Sequence, residues 1–366
     1  MKFRCERDTL AEAIGTAQRA VASRTGALPV LSGLRCAVSG DTLELVGSDL
    51  ELTITVKIAA AGERDGRAVL PARLLSDIVR SAAGAEVSID VTGDDARITS
   101  GRSNFSLRTL PADDFPRVAA LSGSGVRVDA AAFSDALRQV VPAASRDDAR
   151  PILTGVLLTA TTTGLRLVAT DSYRLAVRDL PGVSVLSEGQ KVLVPAKSLG
   201  EVQRLLGTGE LEVVLDEREV AFRIGGTEIT TRLIEGEFPN YEQLIPSGYP
   251  NRLTINSDAL AEAIKRVRIV GQGGRDSSPI RCAMTSDGLE VSAVAQEVGE
   301  ARESIDAKFE GTDLTAAFNS EFLLDGCNAV DAQELILETV DPLKPATLKS
   351  TDNNDFLYLL MPVRVS

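Results

Sequence analysis

The first candidates for acid–base or metal chemistry in this 366-residue chain are carboxylates, because the sequence contains no histidine. Histidine is the commonest general base, a member of Ser-His-Asp and Cys-His arrangements, and a frequent metal ligand. Adjacent carboxylates occur at Asp94-Asp95, Asp113-Asp114 and Asp147-Asp148. Each pair lies in a turn-like stretch, where acidic side chains are usually solvated, so we expect neither a metal nor an acid–base role for them.

Two further patterns could bind phosphate or metal. The run Gly271-Gln272-Gly273-Gly274 lacks the Gly-Lys-Ser/Thr ending of a phosphate-binding P-loop and is interpreted as a connector. The cysteines are too scattered for a zinc motif; they are Cys5, Cys36, Cys282 and Cys327. The sequence therefore predicts no catalytic residue, metal or cofactor, and it argues against an enzyme.

Composition excludes other classes. The net charge is −13, so the chain is not a strongly basic nucleic-acid binder, although its cations could still cluster on one surface. No apolar run approaches the roughly 18 residues that span a bilayer. The charged N-terminal stretch has no apolar segment behind it, so no secretory signal is expected. We predict a cytoplasmic protein without membrane contact.

The elements that would position any site recur three times, about 120 residues apart. Helix starts resemble one another around Leu10, Phe133 and Leu260. Strand-to-helix transitions recur at Pro71, Pro195 and Asn319, each 124 residues after the last, and a third set, Pro29, Pro151 and Pro279, is expected to open strands. Repeats of this length are whole domains and not solenoid units.

The repeat predicts three domains, at residues 1–121, 122–247 and 248–366, with small polar loops at the boundaries. In the first domain we expect a strand at residues 2–5 and then a helix capped by Asp8. Two helices and about eight strands are predicted in each domain. The fold class is α+β, with the helices on one face of antiparallel sheets.

Several blocks of sequence, taken together, carry a family resemblance. They are Ser48–Glu51, Leu70–Arg73, Ser100–Pro116, Ala169–Val177, Glu235–Tyr241 and Leu359–Arg364. In this order they resemble the bacterial DNA sliding clamps, the β subunits of DNA polymerase III, over nearly the whole chain. The resemblance implies a head-to-tail homodimeric ring around duplex DNA. Twelve helices of about 9 Å spacing would line an opening about 25 Å wide, which admits a duplex.

The resemblance also implies where DNA would be held. A ring retains DNA topologically, so weak phosphate contacts from helix cations suffice, and the acidic remainder of the surface repels DNA. The expected DNA-binding residues are Arg24, Arg73, Arg80, Arg138, Arg146, Arg150, Lys197, Arg204, Lys265 and Arg266. These residues could instead be only the solvated faces of surface helices.

Family members tether partners through short peptides. The implied partners are the replicative polymerase catalytic subunit, the clamp loader, translesion polymerases, ligase and mismatch-repair proteins. The implied peptide pocket consists of Leu153, Thr170, Ser172, Tyr173, Arg174, Leu175, Pro239, Gln243, Leu244, Pro345, Leu359, Leu360, Met361, Pro362, Val363 and Arg364. The chain departs from the family at Ser172-Tyr173, often Gly-His, and at Gln243, often basic.

The dimer interface is expected at two strand edges. Strand 104–107 of one copy would pair with residues near 300–303 of the other, which removes an exposed edge. The residues involved are Arg102, Asn104, Phe105, Leu107, Ile269, Val270, Glu300 and Glu303. Two alternatives stay open: an enzyme in which the repeat is incidental, and a repeat-built protein scaffold that never touches DNA.

Overall fold

A computed structural model describes residues 1–22, 28–118, 121, 123, 125–207, 209–272, 279–295, 298–352 and 354–364. Of the residues singled out above, Arg24, Gly273 and Gly274 lie outside this set. Within the described ranges, no helix is long and apolar enough to cross a membrane.

Six helices and twenty-six strands are found in the described residues. The first repeat consists of β1 (Lys2–Glu6), α1 (Arg7–Ala17), β2 (Gly33–Ser39), β3 (Thr42–Ser48), β4 (Leu52–Ala59), β5 (Ala61–Arg64), β6 (Gly66–Pro71), α2 (Ala72–Ser81), β7 (Glu86–Thr92), β8 (Asp95–Ser100) and β9 (Ser103–Arg108). The second consists of β10 (Val126–Asp129), α3 (Ala130–Val140), β11 (Gly155–Ala160), β12 (Gly164–Thr170), β13 (Arg174–Pro181), β14 (Lys191–Pro195), α4 (Ala196–Leu205), β15 (Glu210–Leu215), β16 (Glu219–Ile224) and β17 (Thr227–Arg232). The third consists of β18 (Asn251–Asn256), α5 (Ser257–Gln272), β19 (Ile280–Thr285), β20 (Gly288–Ala295), β21 (Gly299–Ile305), β22 (Ala307–Glu310), β23 (Leu314–Phe318), α6 (Ser320–Ala329), β24 (Glu334–Thr339), β25 (Ala346–Ser350) and β26 (Phe356–Leu360).

Three local expectations were wrong. Glu6, not Asp8, caps α1, because its carboxylate accepts hydrogen bonds from the backbone amides of Asp8 (2.9 Å) and Thr9 (2.6 Å). Pro29 and Pro151 begin 3₁₀ turns that precede strands, since proline fixes φ without donating to a ladder. The segment 271–272 completes α5 and is not a loop.

The chain forms two compact units, and the first contains residues 1–130 and 204–233. Its sheets have the strand orders β5-β1-β7-β8-β9 and β10-β15-β16-β17-β4-β3-β2-β6. Every pairing is antiparallel. Helices α1 and α2 bury Leu10, Ile14, Leu75 and Val79, which the 3.6-residue period brings onto one face of each helix.

The second unit contains residues 131–203 and 234–366. Its strand orders are β14-β11-β12-β13-β26-β25-β24-β18-β22 and β21-β20-β19-β23, again antiparallel throughout. The expected α+β class with antiparallel sheets is therefore confirmed.

Each unit contains a junction at which a strand of one repeat pairs with a strand of the next. In the first unit β4 pairs with β17, and in the second β13 pairs with β26. We call these the first junction and the second junction. Strand β9 of the first repeat is equivalent to β17 and β26, and strand β21 of the third repeat is equivalent to β4 and β13. Both β9 and β21 lie at the edges of their sheets.

Candidate partner-peptide site and nucleic-acid interface

A tight turn before β13 presents the start of the expected pocket. Asp171 Oδ1 accepts hydrogen bonds from the amides of Tyr173 (2.9 Å) and Arg174 (3.0 Å), and the Thr170 hydroxyl donates to the Arg174 carbonyl (2.7 Å). Ser172 has φ +82°, a left-handed conformation that favours glycine, so the family's usual glycine has a physical reason here. The turn leaves Tyr173 60% exposed.

Arg174 does not point into an open pocket. Its side chain is only 5% exposed, its Nε donates to Asp171 Oδ2 (3.0 Å), and it also contacts the Asp325 carboxylate. The guanidinium lies 4.2 Å from the centre of the Phe322 ring. Burial alone would lower the pKa of Arg174, but Tyr358, Asp325 and Asp171 raise it above its ordinary value. Arg174 therefore ties β13 to α6.

The floor of the site is apolar. Leu175 pairs with Leu359 across the second junction, and both are buried in a cluster with Val168, Val177 and Tyr241. Arg174 pairs with Leu360, which pairs on its other side with Ala346. That register places Pro345 next to Met361.

The rim of the site exposes apolar side chains. The Met361 amide donates to the Tyr173 carbonyl (2.8 Å), and the Tyr173 ring stacks on Phe322 with 6.5 Å between centroids. Leu244 and Val363 are exposed large hydrophobic residues of the same unit. Exposed apolar side chains next to a buried apolar floor suit an extended peptide with hydrophobic anchors.

The other expected pocket residues differ in how far they are buried. Leu153 is buried in the 3₁₀ turn Pro151–Thr154, and Pro362 is half-buried. Pro239, Gln243 and Arg364 are exposed. The Val363 amide donates to the Ala317 carbonyl (2.7 Å), which fixes the chain beyond Met361.

Nearly all of the expected DNA-binding cations that the structure describes are exposed. Arg138 is half-buried, and the other eight are exposed: Arg73, Arg80, Arg146, Arg150, Lys197, Arg204, Lys265 and Arg266. The α2 residues Arg73 and Arg80 lie two helical turns apart, on one face, and Lys197 and Arg204 repeat that spacing in α4. In α6 the same positions hold Glu321 and Asn328, so this basic pair occurs in two of the three repeats.

Several of these cations bind the protein's own polar groups. Arg138 donates to the Asn328 carbonyl (2.8 Å), and Arg150 to Asp147 (2.9 Å). Arg266 Nε donates to Glu303 (2.9 Å), and this hydrogen bond lowers the pKa of the Glu303 carboxyl. Lys265 lies 2.7 Å from Glu262. Arg266 thus connects α5 to the edge strand β21.

The expected dimer residues lie on the edge strands β9 and β21, on helix α5 and in the turn before β9. Phe105 and Leu107 of β9 are half-buried, while Asn104 is exposed. Ile269 on α5 is 67% exposed, and Val270 is half-buried. Glu300 is an ion-pair partner of Arg302 (3.2 Å), and Arg102 is exposed.

Sequence reasoning missed three exposed hydrophobic residues. Leu74 on α2, Val294 on β20 and Val298 before β21 are all largely exposed. The adjacent residues Leu74 and Leu75 could have indicated an exposed leucine, because only one of two neighbouring helix positions usually lies in the single buried stripe. Within the described residues, no three His, Cys, Asp or Glu side chains converge as a metal site requires.

Comparison with known proteins gives one consistent relationship. Models of the DNA polymerase III beta subunit match in three parts: the N-terminal domain at residues 1–119, the central domain at 127–240 and the C-terminal domain at 242–364. The "Beta sliding clamp" of Streptomyces coelicolor is 35% identical over 385 residues, covering 100% of both chains.

Solved structures agree. The DNA polymerase sliding clamp from Bacillus subtilis has a TM-score of 0.93 and 28% identity, with 100% of both chains covered. The sliding clamp from Bartonella birtlesii, solved bound to griselimycin, has a TM-score of 0.91 and 29% identity, again over 100% of both chains. Three matched domains and full-length coverage show that the chain belongs to the DNA polymerase III beta subunit family, the bacterial sliding clamps.

Proposed function

We propose that this chain is a DNA polymerase processivity factor, a non-catalytic ring of two head-to-tail copies that encircles duplex DNA and tethers its partners. The observation that carries the proposal is an unused third junction. Two junctions of one type are made within the chain, and the strands for a third, β9 and β21, are left at sheet edges. A head-to-tail contact that closes on itself makes a ring.

The two internal junctions use the same register. Ile54, Ala176 and Ala301 are equivalent, because they pair with Gly47, Ala169 and Ala293 in matching hairpins. Likewise Ile229, Tyr358 and Phe105 pair with Phe222, Leu348 and Ile98. Ile54 pairs with Ile229, and Ala176 with Tyr358. The repeat therefore predicts that Ala301 of one copy pairs with Phe105 of the other.

Burial supports this pairing. The four residues of the two internal pairs are essentially inaccessible, whereas Phe105 and Ala301 remain half-exposed. The pairing places Ser103 opposite Glu303 and Ser106 opposite Glu300, with Arg102 one residue from Ser103. Ile269 and Val270, with the missed Leu74, would then cover Phe105 and Leu107.

DNA contact is proposed for the exposed helix cations. Phosphate contacts do not depend on the base sequence, so they need cations on an exposed surface but no contact with base edges. Arg73 and Arg80 present two such cations from one face of α2. The full proposed set remains Arg24, Arg73, Arg80, Arg138, Arg146, Arg150, Lys197, Arg204, Lys265 and Arg266. Three domains at 1–121, 122–247 and 248–366 and a cytoplasmic, nucleoid-associated location belong to the same proposal.

Partner binding is proposed for the pocket around the second junction. Leu175 and Leu359 give an apolar floor, and Tyr173, Leu244 and Met361 an exposed rim. Burying two apolar anchors contributes roughly 3–6 kcal/mol before ordering costs, which suits micromolar, exchangeable contacts. The proposed partners are the replicative polymerase, the clamp loader, translesion polymerases, ligase and mismatch-repair proteins.

The test is retention on DNA of two topologies. Protein loaded onto a nicked circle should survive salt that removes a conventional binder, and cutting the circle should release it. The matched control is Ile269→Ala with Val270→Ala, which should give monomers in sedimentation and lose retention. Equal retention on circular and linear DNA would overturn encirclement and favour the scaffold alternative.

A further inference from the structure

A second cleft lies beside the proposed peptide pocket, on the same sheet face. Its volume is about 220 Å³, and Tyr241 forms one wall. Tyr241 also packs against the floor of the pocket, in the cluster with Leu175 and Leu359. Tyr241 therefore belongs both to the cleft and to the apolar floor of the pocket.

The strand geometry gives the spacing between the pocket and the cleft. Leu175, Val177 and Asp179 follow one another at alternate positions of β13, so their side chains share a face. Four residues of strand span about 13 Å. A peptide bound in extended form would cover that distance in about four residues.

The lining of the cleft is apolar at its sides and acidic at its end. Val177, Leu357 and Ile245 provide aliphatic walls. The carboxylates of Asp179, Asp355 and Glu242 and the guanidinium of Arg166 line this end of the cleft. Arg166 is held by Asp179 through two hydrogen bonds of 2.6 and 2.8 Å. The cleft thus has an excess of negative charge above an apolar wall.

The fold alone does not impose this charge. The first junction has a cleft of about 260 Å³ at the equivalent place, between its sheet and Val118. There Glu44 stands where Arg166 does, Lys57 where Asp179 does and Gly226 where Asp355 does. The acidic lining is therefore specific to the cleft that adjoins the peptide pocket.

We propose that this cleft binds a lysine or arginine side chain of the partner peptide, about four residues from the apolar anchors. The inference rests on the proposed function of the neighbouring pocket. A lysine stem matches the aliphatic walls while its ammonium reaches the carboxylates. The cleft would thereby select among peptides that share the same anchors.

The test uses fluorescein-labelled peptides with a glutamine and apolar anchors, measured by fluorescence polarisation on the full-length protein. Lysine or norleucine is placed three to five residues from the anchors, in one series on the N-terminal side and in another on the C-terminal side. One lysine series should bind about fivefold more tightly than its norleucine match, because norleucine keeps the stem and lacks the charge. The advantage should shrink as salt rises.

The protein variant is Asp355→Asn with Glu242→Gln, and Glu217→Gln is a control for a lost surface charge elsewhere. The double variant should lose the lysine advantage while its affinity for the norleucine peptide stays unchanged. Equal affinity of lysine and norleucine in both series, or an advantage that survives in the double variant, overturns the cleft assignment. Failure of the anchor-only peptide to bind overturns the pocket itself.

Discussion

The first and second junctions have the same backbone conformation but different side chains. The turn before β4 repeats the turn before β13: Asp49 Oδ1 accepts from the Leu52 amide (2.8 Å), as Asp171 does from Arg174. Leu50 has φ +79° where Ser172 has +82°. After the junction, Arg232 donates its amide to the Glu51 carbonyl (3.0 Å), as Met361 does to Tyr173.

The side chains at equivalent positions have different chemistry. Leu175 and Leu359 of the second junction correspond to Thr53 and Thr230 of the first, which pair in the same register. Tyr173 and Met361 correspond to Glu51 and Arg232, whose charged groups lie 3.6 Å apart. The fold therefore builds the same turn and strand pair twice, and the apolar side chains distinguish the one proposed as the peptide site.

The largest expected difference concerns the buried arginine of the second junction, because the first has Leu52 at that position. Arg174→Leu leaves Asp171 and Asp325 without their cation, so we expect a loss of about 3 kcal/mol in the free energy of unfolding. Leu52→Met should cost under about 1.5 kcal/mol. Urea denaturation measures both, and equal small losses would show that the Arg174 network does not stabilise its unit.

Truncation before Met361 should weaken peptide binding about a hundredfold or more, because it removes the Met361 rim and its hydrogen bond to Tyr173. Deleting only the last two residues is the control. Fluorescence polarisation reports affinity, and sedimentation should show an intact dimer in both truncations. Unchanged peptide affinity without residues 361–366 would contradict the pocket assignment.

Glycine at either turn should stabilise the protein by about 1 kcal/mol, since Leu50 and Ser172 both adopt a left-handed backbone. Leu50→Gly and Ser172→Gly are matched variants, and thermal unfolding compares them. A gain at one turn and a loss at the other would break the equivalence of the two backbones.

The smallest expected effect is that of the ion pair in the first junction. Glu51→Gln should change stability by less than about 0.5 kcal/mol, because both partners are largely exposed. It should not create peptide binding, since Thr53 and Thr230 remain polar. Peptide binding by a Glu51→Gln variant that also lacks residues 361–366 would contradict the comparison.

The fold was largely predictable because the same pattern of strand and helix signals occurs in each of the three repeats. The strand-to-helix transitions at Pro71 and Pro195 were placed correctly, although each proline ends a strand directly before the helix and does not lie in its first turn. Asp8 was mistaken for the cap of α1 because any short acidic residue fits the pattern, whereas Glu6 reaches the same amides with a longer side chain.

The candidate site was less predictable. The resemblance located Tyr173, Leu175 and Met361, but not that Arg174 is buried against α6, because its partner Asp325 is 151 residues away in sequence. Arg266, which was expected to contact DNA, likewise binds Glu303. Sequence periodicity does not place the strand of Glu303 beside α5. Long-range pairings of this kind depend on topology, which local patterns do not specify.

The most direct test of the account is a cross-link across the third junction. Phe105→Cys with Ala301→Cys should give a disulfide-linked dimer under mild oxidation, because directly opposed strand residues meet disulfide geometry. The native cysteines of the described structure are buried, and burial raises the pKa of Cys36 and Cys282 to about 12. Asn104→Cys with Ala301→Cys should stay unlinked, since residue 104 faces the opposite side of the sheet. A covalent dimer from the first variant alone is the predicted result; no dimer, or equal yield from both, would contradict the third junction.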